Sequence, residues 1–143
     1  LNKNIDVIQL PYNVFDNRFQ KKKIQLALKK RKNPIEIHVR SIFLQGLLLQ
    51  NHKDNDPIIK KNNKLFKKWD DFNENNQSKK ISNCINFVKD NSKIDKVLVG
   101  IDSLKQLKMF VELFVKNEKK KKLSIFNSNN NKNIIDPRKW KKK

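Results

Sequence analysis

Cysteine, glycine and long apolar runs are all scarce in this chain of 143 residues, which has one cysteine and two glycines. Cys84 alone allows no disulfide framework and no CxxC metal site, so we predict no bound metal and a reducing compartment. The longest apolar stretch, residues 41–49, is interrupted by Gln45 and Gly46. It is shorter than the roughly 18 residues of a membrane span, and no signal-peptide pattern is present. We therefore expect a cytoplasmic protein without a membrane anchor.

Arginine and acidic residues are also few. The chain has 30 lysines, four arginines and 14 acidic residues, which gives a net charge of +20. Such a charge suggests nucleic acid as a partner, because clustered cations gain affinity for phosphates by releasing counterions. Phosphate and base recognition favour the arginine fork, however, and the lysines are spread through every segment. We interpret the charge mostly as solvated surface and expect no specific nucleic acid; a basic nucleic-acid-binding module remains the alternative.

Three short strand-like runs are present, at residues 5–13, 35–49 and 96–103. A lysine-rich segment with helical spacing, residues 16–32, separates the first two runs, and Asp16 or Asn17 can cap its start. This succession is typical of βαβ units in a parallel sheet. Further helices are predicted at residues 62–73, from Ser78 or Ser82 to Asp90, and after Ser103. The apolar face of this last helix is predicted to consist of Leu104, Leu107, Val111, Phe114 and Val115.

Each run places candidate ligand-binding residues at or just past the carboxyl end of its strand. Gln9 belongs to the first run, Arg40 and Ser41 to the second, and the segment from Gly100 to Ser103 to the third. In α/β folds this end of the sheet holds the ligand sites. A sheet of three parallel strands would be exposed at both edges, and the chain begins with Leu rather than Met. We therefore expect a piece of a longer protein.

Together these runs resemble the C-terminal half of an aldo/keto reductase, a family of NAD(P)H-dependent reductases with a (β/α)8 TIM barrel. I-Q-L-P-Y-N is similar to the sixth strand, I-H-V-R-S-I-F-L-Q-G-L-L to the seventh and V-L-V-G-I-D-S-L-K-Q-L to the eighth with its helix. The final I-I-D-P-R-K-W is similar to bacterial tails. The resemblance implies an α/β barrel segment at residues 1–127, followed by a low-complexity Asn/Lys tail with a small apolar anchor at residues 128–143.

The first group of site residues implied by the resemblance follows the sixth and seventh strands. Gln9 would bind the nicotinamide carboxamide, and Arg40 would replace the aromatic ring that many members stack on the nicotinamide. Ser41, Phe43 and Gln45 match the loop that holds the cofactor pyrophosphate. Gly46 in the same loop would allow a close turn.

The second group follows the eighth strand and comprises Gly100, Ile101, Asp102, Ser103 and Gln106. This loop leads into a helix N-terminus, a place where backbone N–H groups bind phosphate. Family members usually carry a basic residue here for the 2′-phosphate of NADP. Asp102 would repel that phosphate and could instead accept a hydrogen bond from a ribose hydroxyl. The cofactor is thus expected to be NAD or NADP, with NAD favoured slightly.

The function implied is hydride transfer from the nicotinamide cofactor to a small carbonyl substrate by the complete enzyme. The family's catalytic Asp, Tyr, Lys and His come from the first four strands, so we expect them in the missing N-terminal half and expect this piece alone to be inactive. Tyr12 is assigned to packing, and neither His38 nor His52 has partners at metal-ligand spacing. A barrel relative that has lost catalysis is the other alternative.

Overall fold

Parts of the three predicted strand runs form one parallel sheet, and only two residues of the third run are strand. The computed structural model describes residues 5–30, 33–116, 123–126 and 131–140. Strand β1 is Val7–Pro11, β2 is Glu36–Arg40 and β3 is Lys96–Val97, in the order β1-β2-β3. Gln9 pairs with His38, and Val39 pairs with Val97, all in parallel. The α/β class with parallel strands is therefore confirmed, and the carboxyl ends of the strands share one edge.

Six α-helices lie in the described residues: α1 (Lys22–Lys29), α2 (Pro57–Lys61), α3 (Asn63–Phe72), α4 (Gln77–Lys89), α5 (Leu104–Val115) and α6 (Lys132–Ile135). The prediction that Asp16 or Asn17 caps α1 is wrong, because a 3-10 turn at Arg18–Gln20 precedes the helix. The caps predicted for α4 are also wrong. Asn76 precedes that helix, and its side chain accepts a hydrogen bond from the Lys79 N–H. The predicted cap of α5 is confirmed, since Ser103 Oγ accepts from the Gln106 N–H.

An aromatic cluster forms the centre of the core. Trp69 packs edge-on against Phe15 and Phe126, with ring centroids 6.2 and 5.1 Å apart. Its indole N–H donates to the Leu48 carbonyl at 2.8 Å, so α3 is fixed to the segment that follows β2. Ile134 and Ile135 of the tail are buried as well. The boundary predicted at residue 127 lies outside the described residues.

Four of the five residues predicted for the apolar face of α5 are wrong, and of these five only Phe114 packs against the core. Leu104, Leu107, Val111 and Val115 are exposed, at 41–76% of their surface, and Phe110 is the buried residue. The helix packs against α4 and presents Phe110 to Phe43, whose ring stacks on it at 5.6 Å. The helix is apolar around most of its circumference, and the side that faces the core is the one containing Phe110.

Both edges of the sheet carry exposed apolar side chains. Val7 lies on β1 and Leu98 directly after β3, and each is at least 40% exposed. Leu26 of α1 and Ile101 before α5 are exposed as well. Within the described ranges, none of the helices has the length and apolarity needed to cross a membrane.

Candidate functional site

A cavity of about 640 Å³ opens at the carboxyl edge of the sheet. It lies among the end of β2, the loop that follows β2 and the segment between β3 and α5. Eight of the ten residues implied by the resemblance line it: Gln9, Arg40, Ser41, Phe43, Gln45, Gly100, Asp102 and Gln106. Ile101 and Ser103 are not part of this lining, and Ser103 is used to cap α5. Segments far apart in the sequence thus meet at one place.

The two strand residues of the site are held by the sheet itself. Gln9 is an exposed residue of β1, and Arg40 is the last residue of β2. The carbonyl of Arg40 accepts from the Tyr12 N–H at 3.2 Å, which continues the ladder past β1. Arg40 Nη1 donates to Ser41 Oγ at 3.2 Å, and no carboxylate of the described residues pairs with this guanidinium. Its positive charge therefore remains available at the cavity.

The loop after β2 has an unusual backbone. Ser41, Leu44 and Gln45 have φ angles of 57°, 49° and 55°, and Gly46 has a φ of 86°. Residues other than glycine rarely adopt this left-handed backbone conformation. The loop therefore stores strain of about 1–3 kcal/mol at each of its three non-glycine positions. Gly46 is the residue that the tight turn requires, as predicted.

Buried anchors hold this strained loop. Ile42 and Leu44 are at most 2% exposed and fix it from below. The side-chain amide of Asn13 donates to the Ser41 carbonyl at 3.0 Å. Asn13 is itself fully buried, and its Oδ1 accepts from the backbone N–H groups of Phe15 and Asp16. The turn after β1 therefore positions the loop after β2, a role for Asn13 that sequence reasoning missed.

The segment before α5 is closed by two side-chain hydrogen bonds. Ser103 Oγ accepts from the Gln106 N–H, and Gln106 Oε1 accepts from the Asp102 N–H at 2.9 Å. This is a variant of the capping box, in which two helix-terminal N–H groups are satisfied by side chains. The Asp102 carboxylate takes no part in these two bonds, and Asp102 lines the cavity. Gly100 has ordinary backbone angles and open space around it, so it is not required for the turn.

The remaining candidate side chains lie away from this cavity. Tyr12 is fully buried and stacks on Phe87 at 4.9 Å, which confirms its packing role. Burial raises the pKa of its phenol. His38 pairs with Glu36 at 2.8 Å, and His52 Nδ1 lies 2.6 Å from Asp70 Oδ2. These contacts stabilise the fold.

A second cleft, of about 450 Å³, adjoins the first, and sequence reasoning missed it. Arg40, Ser41 and Gln45 line both, and Arg18 and Arg138 complete the second cleft from the turn after β1 and from the tail. The signal available in the sequence was a repeated spacing, D-N-R at residues 16–18 and D-P-R at residues 136–138. In each copy the carboxylate holds the arginine two positions later.

No family model, curated protein or solved structure matches this chain.

Proposed function

We propose that this chain is the cofactor-positioning part of an NAD(P)H-dependent reductase of the aldo/keto reductase type, which would transfer hydride to a carbonyl substrate. The observation that carries the proposal is the cavity at the carboxyl ends of the three parallel strands, where eight implied residues meet. This is the end of the sheet at which barrels and open α/β sheets bind their ligands. The β2 loop adds a strained, anchored backbone, a feature that clusters at functional sites.

Each cavity residue has a chemical role in this proposal. The Gln9 amide can both donate to and accept from the nicotinamide carboxamide. The planar guanidinium of Arg40 can stack on the nicotinamide ring, as an aromatic side chain would. Ser41 and the backbone of the loop up to Gln45 would hold the pyrophosphate. Asp102, with its carboxylate free of the helix cap, would accept from a ribose hydroxyl and disfavour a 2′-phosphate, so NAD is favoured slightly.

The open edges of the sheet support a barrel segment. A parallel sheet is normally covered on both faces and continues through further βα units. Here Val7 of the edge strand β1 and Leu98 directly after the edge strand β3 are exposed, and so is an apolar face of α5. Further strands and helices would cover both surfaces. The proposal assigns the proton donor and its partners to those further units, and it assigns only cofactor binding to this chain.

Titration of the chain with NADH and with NADPH, followed by cofactor fluorescence, tests the proposal. We expect saturable binding, and we expect Gln9→Ala to weaken it about tenfold. That factor corresponds to the loss of one well-placed pair of hydrogen bonds in a desolvated site. Gln77→Ala is the matched control, because Gln77 is also exposed but begins α4 outside the cavity. Equal affinity of the wild type and the Gln9 variant, or no binding of either cofactor, would contradict the proposal.

A further inference from the structure

Three arginines converge on the second cleft. Arg18, Arg40 and Arg138 line it, and no lysine does so among the described residues. Lysine outnumbers arginine 30 to 4 in the chain, and the fourth arginine, Arg31, lies outside the described residues. Lysine would serve equally well as a solvated surface charge. A cleft whose basic side chains are all arginine indicates recognition by the planar guanidinium fork, which matches carboxylate and phosphate groups.

The two D-x-R turns fix two of these guanidinium groups in the same way. Arg18 donates through Nε and Nη2 to the two Asp16 oxygens at 2.8 and 2.7 Å. Arg138 donates through Nε and Nη2 to Asp136 at 2.8 and 2.9 Å. Each bidentate pair occupies one edge of the guanidinium and leaves the Nη1 donors for another acceptor. The arginines are therefore oriented before any ligand arrives, which lowers the entropic cost of binding.

The charges in the cleft favour an anion. Asp16 and Asp136 balance two of the three guanidinium groups, whereas Arg40 has no carboxylate partner among the described residues. One positive charge is left over. The Asp16 carboxylate raises the pKa of Arg18; Asp136 adds slightly to this effect and Arg138 opposes it, so both charges of the second turn act on Arg18. Hydrogen bonds from charged donors to an oxyanion are about twice as strong as neutral ones.

We propose that this cleft binds the carboxylate or phosphate group of the carbonyl substrate. The assignment rests on the proposed function, because it uses the position of the cleft beside the nicotinamide cavity. Arg40, Ser41 and Gln45 line both spaces, so one small molecule can place its acid group among the arginines and its carbonyl at the cofactor. The substrate class is then a small aldehyde or ketone that carries an acid group.

Titration of the 143-residue chain with inorganic phosphate and with acetate, at constant ionic strength in chloride, tests the cleft without a cofactor. The readout is the arginine Nε–H signals in ¹⁵N–¹H spectra. We expect saturable shifts of Arg40 and Arg138, and a loss of affinity of about tenfold in both Arg138→Gln and Arg138→Lys, since lysine keeps the charge but not the fork.

Arg138 is 89% exposed, so both variants should keep the fold, which the rest of the spectrum verifies. Lys139→Gln, the matched control, removes the same charge from an exposed neighbour outside the cleft and should change the affinity less than about twofold.

Four results distinguish this inference from the proposed function. Equal losses of anion affinity in Arg138→Gln and Lys139→Gln would overturn the cleft as a binding site, because only the net charge of the chain would then affect binding. Displacement of phosphate by ADP-ribose would assign the cleft to the cofactor and overturn its assignment to the substrate. NADH binding without any arginine response to either anion would overturn the cleft alone. Specific anion binding by a chain that binds neither NADH nor NADPH would support the cleft and contradict the proposed function.

Discussion

The buried ion pair of Asp70 and Lys80 makes a sharp prediction about stability. Both side chains are at most 3% exposed, and Lys80 Nζ lies 2.5 Å from Asp70 Oδ1. Asp70 Oδ1 has no hydrogen-bond partner among the described residues, so its contact with Lys80 Nζ is mainly electrostatic. Lys80 also donates to the Gln50 carbonyl at 2.6 Å, and Asp70 Oδ2 accepts from the backbone and ring N–H groups of His52. The pair therefore ties residues 50–52 to α3 and α4.

Lys80→Met keeps the length of the side chain but removes the cation. Asp70 then remains as a buried carboxylate with only His52 to compensate it, and the Gln50 carbonyl loses its donor. Removing one partner of a buried ion pair costs about 3–5 kcal/mol. Equilibrium unfolding in urea measures this as a lower midpoint at unchanged slope. Lys79→Met is the control, because Lys79 pairs with Glu74 on the surface and should cost less than about 1 kcal/mol.

A double variant separates the ion pair from simple packing. Asp70→Asn removes the uncompensated charge, so Asp70→Asn with Lys80→Met should be more stable than the sum of the single losses predicts, by about 1–3 kcal/mol. Additive losses would contradict the electrostatic explanation. So would equal costs for the Lys80 and Lys79 variants, since burial would then make no difference to the value of the charge.

Three further predictions follow from single residues. Gly46→Ala should lower the free energy of unfolding by about 1 kcal/mol because of its φ of 86°, whereas Gly100→Ala should change it little; chemical denaturation compares the two. Burial raises the pKa of Tyr12, so its contribution to stability is present below pH of about 10 and is lost as the pH rises through the folded-state pKa. Tyr12→Phe should remove that part of the decline in a series of unfolding curves. Asp102→Arg should shift the binding preference from NADH to NADPH about tenfold or more in cofactor titrations, since a carboxylate about 4 Å from a phosphate costs on the order of a few kcal/mol. Tighter binding of NADPH than of NADH by the wild type would contradict this placement of Asp102.

The strands, α3 and α4 could be predicted because their patterns are local. Phe66 and Trp69 recur at helical spacing in α3, and Ile81, Cys84 and Ile85 do so in α4; all five are buried. The spacing of residues is enough to define one buried face when the opposite face is polar. The parallel pairing of β1 and β2 likewise follows from the helix between them.

Tertiary contacts decide what the sequence pattern leaves open. The cap predictions fail at α1 because that helix begins after Lys21, which makes no side-chain cap bond, and at α4 because several Ser and Asn residues stand near the start and only the backbone conformation selects Asn76. The cleft was missed because Arg18 and Arg138 are separated by most of the chain. Neither D-x-R turn is informative alone, since an arginine two residues after an aspartate is a common local ion pair. Only the fold brings Arg18, Arg40 and Arg138 to one cleft.

The exposed face of α5 gives a prediction that tests the open edge of the sheet. Val111 is 55% exposed, whereas its neighbour Phe110 is 8% exposed and stacks on Phe43. Val111→Lys should therefore change the free energy of unfolding by no more than about 0.5 kcal/mol, and Phe110→Ala should lower it by about 3 kcal/mol. Contiguous apolar surface promotes association, and high salt screens the repulsion between chains with a charge of +20. Sedimentation velocity in low and in high salt should show self-association of the wild type that increases with salt and that Val111→Lys reduces. A large loss of stability in Val111→Lys, with association unchanged, would mean that the chain itself covers this face, and the β3 edge would then have no room for a further βα unit.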